Sequence, residues 1–302
     1  MAAKLAPPLK AASPPLTADM SVSRAFQAVF ASCLAQVEGN RAGVLQGADI
    51  EYVHQMRVAI RRLRSALRLF RTFVPAEALE PLNDELRWLG GALGEARDWD
   101  VLVEETLPPR LAEFPAHKGL RVLAEQAAAR RLEKREAARR AARSPRCRKL
   151  LAQLREWIAA EGWREHGPGK KLDRPALNPA AKLLARRHQV LRKRGKGLAG
   201  LPPAERHLAR IAAKKLRYAT EFFTPLFPGP AAKEYAKALA GLQDLLGTLN
   251  DAAVTRRLLA ELGEGDGAAL LGDLVDMAAA ENLARLGDAW KQFGRRRPFW
   301  KA

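Results

Sequence analysis

Apolar side chains recur every three or four residues from about Ala18 to the end of the chain, a spacing that predicts amphipathic helices. Valine, isoleucine, threonine and tyrosine are sparse, and no segment shows the apolar–polar alternation of a β-strand. Glycine and proline clusters predict loops at Gly39–Gly47, Pro75–Pro81, Pro108–Pro115, Gly162–Pro179, Gly195–Pro203, Pro225–Pro230 and Gly263–Gly267. These loops would divide the chain into about eight to ten helices, so the pattern predicts an all-α fold.

The helical pattern contains an internal repeat with a constant offset of 153 residues. The segment that begins at His54 matches the one that begins at His207, and the match continues without a gap to Asp98 and Asp251. Identical pairs between these points include Arg57 with Arg210, Leu63 with Leu216, Arg64 with Arg217, Phe70 with Phe223 and Gly94 with Gly247. We therefore expect two helical halves, about 18–165 and about 170–302, that form antiparallel bundles related by a pseudo-twofold axis.

Residues 1–17 have a different composition, with prolines among alanines and little else. Such a composition is typical of a linker or a flexible tail. We therefore assign residues 1–17 to a flexible tail or linker and residues 18–302 to the folded domain.

A row of basic side chains follows one face of the helix that we expect over 52–73. At about 100° per residue, one arc of roughly 100° holds His54, Arg57, Arg61, Arg64, Arg68 and Arg71. We call the first five of these residues the first stripe. Apolar side chains occupy the neighbouring arc. No acidic residue occurs between Glu51 and Glu77, so the stripe has no counter-ion of its own on this helix.

The second half repeats this row in the same register. The second stripe consists of His207, Arg210, Lys214 and Arg217, and Glu221 ends it at the position that corresponds to Arg68. The helix just before it carries a third basic run that includes Lys182, Arg186, Arg187 and Lys193. A helix face that carries only positive charge and occurs twice in the chain favours an anion-binding surface over an ordinary solvated helix face.

The formal net charge is +19, from 52 lysines and arginines against 33 acidic residues, and a polyanionic ligand would relieve the resulting self-repulsion. Arginine pairs its N–H groups with phosphate oxygens, so a row at one-turn spacing suits a linear phosphate chain. Recognition of nucleic-acid bases needs amide side chains or aromatic platforms, which the stripes lack.

Several protein classes are disfavoured. The longest stretch without a charged residue, 25–37, has 13 residues, whereas a membrane-spanning helix needs about 20. The N-terminus lacks the apolar core of a signal peptide. Cys33 and Cys147 form neither a disulfide framework nor a zinc-ligand pattern. We therefore expect a cytoplasmic protein that does not bind membranes and holds no metal or other cofactor.

The segment 53–64, VHQMRVAIRRLR, resembles the signature of the conserved histidine α-helical domain family, CHAD. HLARIAAKKLRY at 207–218 resembles the family's second copy of that signature. LGEARDWD at 93–100 and LQDLLGTLND at 242–251 resemble the helices that follow each copy. With the closing Pro298-Phe299-Trp300, the resemblance spans about residues 18–302.

This resemblance implies two helical bundles around a basic central channel or groove that binds inorganic polyphosphate, in some members at polyphosphate granules. Carried over residue by residue, it places in the channel His54, Arg57, Arg61, Arg62 and Arg64 from one half, and His207, Arg210, Lys214, Lys215 and Arg217 from the other. Many relatives also carry an N-terminal triphosphate-tunnel domain, for which residues 1–17 leave no room. This departure removes the usual candidate for phosphohydrolase chemistry.

The sequence leaves the roles of two sets of residues open. Asp98 and Asp251, with the nearby acidic residues, would pair with arginines, lie on solvated faces or bind a divalent metal. His54 and His207 would add a proton-dependent contact to a bound anion, make a packing hydrogen bond or act in acid–base or phosphoryl-transfer chemistry.

We therefore expect a non-catalytic protein that binds long-chain inorganic polyphosphate through its basic stripes, and we assign no residue a catalytic role. The weaker alternatives are non-specific nucleic-acid binding on the same surface, a phosphohydrolase or phosphotransferase acting on polyphosphate, and a helical scaffold for protein partners. The sequence predicts no particular oligomeric state.

Overall fold

The computed structural model of the protein describes residues 5–301 and confirms the all-α prediction, since these residues form helices and no β-strand. The α-helices are α1 (Val22–Gln46), α2 (Glu51–Phe70), α3 (Ala76–Val101), α4 (Leu107–Glu113), α5 (Lys118–Arg143), α6 (Pro145–Ala159), α7 (Gly169–Leu172), α8 (Leu177–Arg194), α9 (Pro203–Phe223), α10 (Pro230–Leu262) and α11 (Asp266–Gly294). Within the described chain, none of these helices is long and apolar enough to span a membrane.

The predicted loop at Gly39–Gly47 is wrong, because α1 continues to Gln46. A side chain at Gly43 would overlap the ring of Tyr52, the second residue of α2. The glycine therefore allows two helices to approach closely, and it does not mark a turn.

The predicted loops at Pro75–Pro81 and Pro108–Pro115 are also largely helical. Helix α3 begins at Ala76, so Pro81 lies inside it. Pro108 lies in the first turn of α4, where a proline needs no hydrogen-bond donor. The turn before it, Leu102–Thr106, widens to a π-helix, as expected where a helix loses its regular hydrogen bonds.

Packing divides the chain into two compact units, each built from separate segments. The first unit comprises the residues up to Arg97, Lys134–Leu183 and Glu221–Leu226, and the second comprises Asp98–Glu133, Leu184–Thr220 and the residues from Phe227 onward. These units differ from the two consecutive halves expected from the repeat. Long helices deliver side chains to a core far along the sequence, so the chain order does not define the packing units.

Aromatic side chains fill the core of the first unit. The ring of Phe26 stacks on Phe70 at 4.3 Å between centroids, and Phe70 meets Trp163 edge to face at 5.4 Å. Phe223, from the short segment that joins this unit late in the chain, lies against Phe26 at 6.1 Å. Burial of these rings explains why 221–226 packs here.

Residues 5–17 pack along α1 and α2, which differs from the predicted flexible tail. Leu9 donates its N–H to Asn40 Oδ1 at 3.0 Å and accepts from Asn40 Nδ2 at 2.9 Å. Tyr52 donates its hydroxyl hydrogen to the carbonyl of Ala6 at 2.7 Å. Leu16 is buried. Proline-rich composition thus describes an extended segment that the helices hold through its backbone groups.

The second unit has two clusters of buried side chains. Trp99, Leu120, Leu258 and Leu271 belong to an aliphatic core in which α3, α5, α10 and α11 meet. A second cluster gathers aromatic rings around His188, and its members are Tyr235, Phe293, Phe299 and Trp300. The C-terminal residues Phe299 and Trp300 are therefore core residues.

Candidate functional site

Helix α2 positions the first stripe by burying the face beside it. Met56, Ile60 and Leu63 are almost completely buried, whereas Arg57 and Arg64 are half-buried and Arg68 is exposed. The four arginines of the stripe span 57–68, which is about 16 Å of helix at 1.5 Å per residue. The apolar contacts fix the rotation of the helix and so fix the direction of the basic face.

Helix α3 lies beside the first stripe and restrains two of its arginines. The side chain of Arg64 donates from Nε to Asn83 Oδ1 at 3.2 Å. Arg57 lies over Gly94, where an added Cβ would come within 3.5 Å of its Nε. The Nε of Arg61 is buried and has no hydrogen-bond partner within the described part of the chain.

Positive charge is concentrated along this face. Burial lowers the pKa of the Arg64 guanidinium, and the charges of Arg68 and Arg87 lower it further. The pKa of Arg68 is also lowered, by burial and by the charges of Arg71 and Arg87. Arginine stays protonated despite such shifts, so mutual repulsion in the free protein is energy that a bound anion relieves.

His54 begins the first stripe in a half-buried position on α2. Burial lowers the pKa of its imidazole, and the charge of Arg97 lowers it further, whereas Glu51 acts in the opposite direction. In the absence of an anion the imidazole is therefore biased toward its neutral form. A phosphate oxygen beside it would reverse that bias, so the geometry suits a contact that depends on proton uptake.

Arg62 stands apart from the first stripe, because its side chain is only 1% exposed. It donates to Gln36 Oε1 and to the carbonyl of Ala12, both at 3.0 Å, and its guanidinium lies over the ring of Phe222. Its Nε lies 3.9 Å from a carboxylate oxygen of Glu221. The resemblance placed Arg62 in a channel lining, whereas these contacts make it part of the core.

A hydrogen-bonded chain connects Arg62 to the start of α2. Gln36 donates to Gln55 Oε1 at 2.9 Å, and Gln55 donates to Glu51 Oε1 at 2.7 Å. Arg62 therefore ties the N-terminal segment, α1 and α2 together. Such a hydrogen-bonded network rigidifies the elements that it joins, although the Nε of Arg62 itself has no hydrogen-bond partner in the described chain.

The second stripe lies on α9. His207 and Arg217 are exposed, and Arg210 and Lys214 are half-buried. Arg217 donates to Gln243 Oε1 on α10 at 3.2 Å, much as Arg64 donates to Asn83 in the first unit. Lys215, which corresponds to Arg62 in the repeat, is half-buried.

A cavity of about 310 Å³ opens within the second unit beside the second stripe. Helix α9 contributes Arg206, His207 and Arg210 to its wall, and α10 and α11 contribute a mainly aliphatic surface. No sequence pattern predicted this cavity. It forms between the three consecutive helices α9, α10 and α11, where basic residues of α9 face mainly small or aliphatic residues of α10 and α11.

The third basic run lies on α8. Lys182, Arg186 and Lys193 fall within about 40° of one another around the helix axis, and all three are exposed. Arg187 lies about 140° from Lys182 and is half-buried. The predicted run therefore divides into one exposed face and one residue that points elsewhere.

Two of the acidic residues that left metal binding open, Asp98 and Asp100, have basic partners. Asp98 pairs with Arg257 at 3.0 Å, and the fully buried Asp100 pairs with Arg131 at 2.8 Å. Asp251 is exposed and accepts from Asn250 at 3.4 Å. No group of three or more histidine, cysteine, aspartate or glutamate residues in the described chain has a metal-binding arrangement.

The structure adds two cations to the surroundings of the first stripe that sequence reasoning missed. Arg97 acts on His54, and Arg87 acts on both Arg64 and Arg68. Both belong to α3, on which Gly90, Gly91 and Gly94 separate them. Gly94 permits the close approach of Arg57 to α3, but no sequence pattern indicates which cations of α3 come near the first stripe.

Comparison with known proteins gives concordant results. The sequence pattern of the family described as "CHAD domain" matches residues 28–260. The crystal structure of the CHAD domain from the plant Ricinus communis is similar, with 36% sequence identity and a TM-score of 0.80, over 96% of this chain and 97% of that one. No curated protein sequence matches this chain.

A second solved structure, PptA from Streptomyces chartreusis, is similar with a TM-score of 0.65. It shares 16% sequence identity over 94% of this chain and 100% of that one. At this identity the similarity concerns the fold alone. Together the comparisons place the arrangement of helices among solved all-α structures, and they leave the ligand to be inferred from the basic surfaces.

Proposed function

Because the chain belongs to the CHAD domain family, we propose that it binds long-chain inorganic polyphosphate on its basic helix faces and that it does so without catalysis. The observation that carries this proposal is the first stripe, where four arginines follow one another at about one-turn spacing along a fixed helix. Inorganic polyphosphate offers a matching row of negative charges without bases or sugars.

Two features of the first unit support a phosphate ligand. The guanidiniums of Arg64 and Arg68 lie near further positive charge on Arg87, and Asp84, which pairs with Arg87 at 3.1 Å, offsets this charge only in part. Arg61 has a buried Nε that lacks a hydrogen-bond partner in the described chain. Charge-assisted hydrogen bonds from arginine to phosphate are about twice as strong as neutral ones, so each contact would contribute to affinity.

Within the second unit, the second stripe and the exposed Arg186 and Lys193 of α8 provide further basic surface, whereas Lys182 of the same helix belongs to the first unit. These residues are mixed lysine and arginine, which hold phosphate by charge as well as by paired hydrogen bonds. Binding therefore needs no nucleophile, and we assign His54 and His207 to anion contact. A protein with this affinity would also collect where long chains accumulate, so we include polyphosphate granules in the proposal.

The test is a calorimetric titration of the purified chain with tripolyphosphate and with long-chain polyphosphate at several salt concentrations. We expect affinity to rise with chain length, and its logarithm to fall linearly with the logarithm of salt concentration by about 0.7–0.9 per phosphate contact. Equal affinity for the two ligands would overturn the proposal.

Two further measurements separate the alternatives. Duplex DNA and single-stranded RNA, added at equal phosphate concentration, should not displace bound polyphosphate, and displacement would favour a general nucleic-acid binder. Incubation with long-chain polyphosphate and Mg²⁺ or Mn²⁺ should release no orthophosphate. Release that disappears in a His54→Ala variant would make the protein an enzyme.

A further inference from the structure

The cavity beside the second stripe has a surface that inorganic polyphosphate cannot use. Its lining includes Leu246, Leu249 and Leu283 together with several alanines. A chain of phosphates has no apolar atom to place against these side chains. A ligand of this cavity should therefore differ from the phosphate chain that the arginine row of α2 would bind.

The geometry points to a binding site for a small organic phosphate of the nucleotide class, and we propose that the cavity of the second unit holds such a ligand. The inference shares His207 and Arg210 with the proposed function and otherwise stands apart from it. Its ligand combines an anionic end with an apolar ring.

The anionic end has a defined place in the cavity. Arg206, His207 and Arg210 all line the cavity and fall within an arc of about 100° around the axis of α9, with Arg210 between the other two. Arg206 also donates to the carbonyl of Leu201 at 2.5 Å, which limits its motion. Phosphate oxygens at this wall would meet basic groups from one rigid helix.

The opposite walls suit the organic part. Leu246 and Leu249 come from α10, and Leu283 comes from α11. Burial of a flat ring between such side chains is favourable in proportion to the apolar area removed from water. A volume of about 310 Å³ falls at the lower end of the range of about 300–1,000 Å³ for small-molecule sites, so a single small ligand fits and a macromolecule does not.

The rim of the cavity is organised by an ion pair. Arg256 of α10 pairs with Asp276 and lies 3.4 Å from Asp273, both on α11. It can cross α11 because any side chain at the buried Gly272 would overlap its guanidinium. Asp276 and Asn250 are the groups at the rim that can accept or donate hydrogen bonds to a sugar hydroxyl or an exocyclic amine.

The test compares ATP with tripolyphosphate by calorimetry, without added metal. Tripolyphosphate has the same number of phosphates and at least as much charge, so charge alone would favour it. We expect ATP to bind about tenfold more tightly, which corresponds to burying roughly 55 Å² of apolar surface. Equal or weaker binding of ATP would overturn the inference.

Two variants of α11 locate the site. Ala280 is exposed and lines the cavity, whereas Ala284, one turn further along, is exposed and outside it. Ala280→Phe should fill the cavity and remove the preference for ATP, while the affinity for long-chain polyphosphate stays within about twofold of the wild type. Ala284→Phe is the matched control and should bind all three ligands as the wild type does.

The outcomes separate this inference from the proposed function. ATP binding that survives in Ala280→Phe would show that nucleotides bind elsewhere through their phosphates, and would overturn the inference alone. ATP binding that Ala280→Phe removes, in a protein that fails to bind long-chain polyphosphate, would support the nucleotide site and overturn the proposed function.

Discussion

The two basic stripes begin from the same sequence register and meet different surroundings. In the first unit, Arg57 and Arg64 lie against α3, where Arg87 and Arg97 add positive charge. In the second unit, His207 and Arg210 border a cavity with aliphatic walls. The first stripe is a row of arginines that lies against α3. The second stripe forms one wall of a cavity that is large enough for a small molecule.

The residues beside the stripes differ in the same direction. Arg62 is buried and holds the N-terminal segment to α1 and α2, whereas Lys215, its counterpart in the repeat, is half-buried. A lysine cannot reproduce the forked hydrogen bonds that Arg62 makes. Both copies of the repeat have a basic face, but different neighbouring side chains hold that face in place. Their contributions to stability and to binding should therefore be separable.

The largest expected effect concerns Arg62 and Lys215, which occupy equivalent positions in the repeat. Arg62→Met removes the donors to Gln36 and to the carbonyl of Ala12 and should lower the free energy of unfolding by about 3 kcal/mol. Lys215→Met should lower it by less than about 1 kcal/mol, because that side chain is partly solvated. Chemical denaturation of both variants measures the difference, and equal losses would abolish the distinction between the two copies.

Charge reversal within the stripes comes next. Arg57→Glu should weaken binding of long-chain polyphosphate by roughly 30- to 100-fold, because it removes a charge-assisted contact and adds repulsion. Arg210→Glu should weaken it by about tenfold, since fewer arginines adjoin it. Calorimetry provides both values.

Arg130→Glu is the control for net charge, because Arg130 is an exposed residue of α5 that pairs with Glu133. It changes the total charge by the same amount and should alter affinity by less than about twofold at moderate salt. An effect as large as that of Arg57→Glu would mean that general charge, and not the first stripe, governs binding.

The affinity for long-chain polyphosphate should depend on pH through His54. In the free protein the pKa of His54 is lowered by burial and by Arg97, and a bound phosphate chain would raise it. Affinity should therefore increase as the pH falls through the bound-state pKa and level off below the free-state pKa, by about tenfold for a shift of one pKa unit.

The lowered pKa of His54 should also make the free protein less stable as the pH falls. A group whose pKa is lowered by folding contributes stability above its unfolded pKa, and that contribution declines as the pH falls. Binding titrations of the wild type and of His54→Gln between pH 8 and pH 5 test the proton uptake. Identical pH profiles for the wild type and His54→Gln would show that His54 does not take up the proton.

The smallest expected effect concerns the amides that hold one arginine in each stripe. Asn83→Ala and Gln243→Ala each remove one acceptor, from Arg64 and Arg217 respectively. Each should weaken polyphosphate binding by about threefold, since the freed arginine loses orientation and keeps its charge. If Asn83→Ala weakens binding and Gln243→Ala does not, the orientation of the arginine side chain matters only in the first stripe.

The secondary structure and the basic faces were largely predictable from the sequence. Helical periodicity gave the correct fold class, and the arc of about 100° correctly separated the first stripe from the buried face with Met56 and Leu63. The same arithmetic puts Arg62 about 100° from Arg61, off the stripe. Its inclusion came from the resemblance, which carries over residue types without their burial.

The loop boundaries and the N-terminal segment show where local signals stop being informative. Gly43 reads as a turn residue in the sequence, and it serves helix contact because Tyr52 lies against it. The prolines of residues 5–17 suggest a tail, and the backbone of Leu9 is held by Asn40 across 31 positions of sequence. Composition reports the intrinsic preference of a segment and contains no information about a distant partner.

What the sequence by itself determined was the all-α fold, the duplication and the direction in which each row of basic residues points, because these follow from periodicities of a few residues. Only the tertiary structure decided that Arg62 is a core residue, that Arg87 and Arg97 adjoin the first stripe and that a cavity opens beside His207. Each of those facts depends on contacts between different segments of the chain, which the pattern within one helix does not determine. Burial and charge–charge interactions act through space, so their effects appear only when the helices are packed.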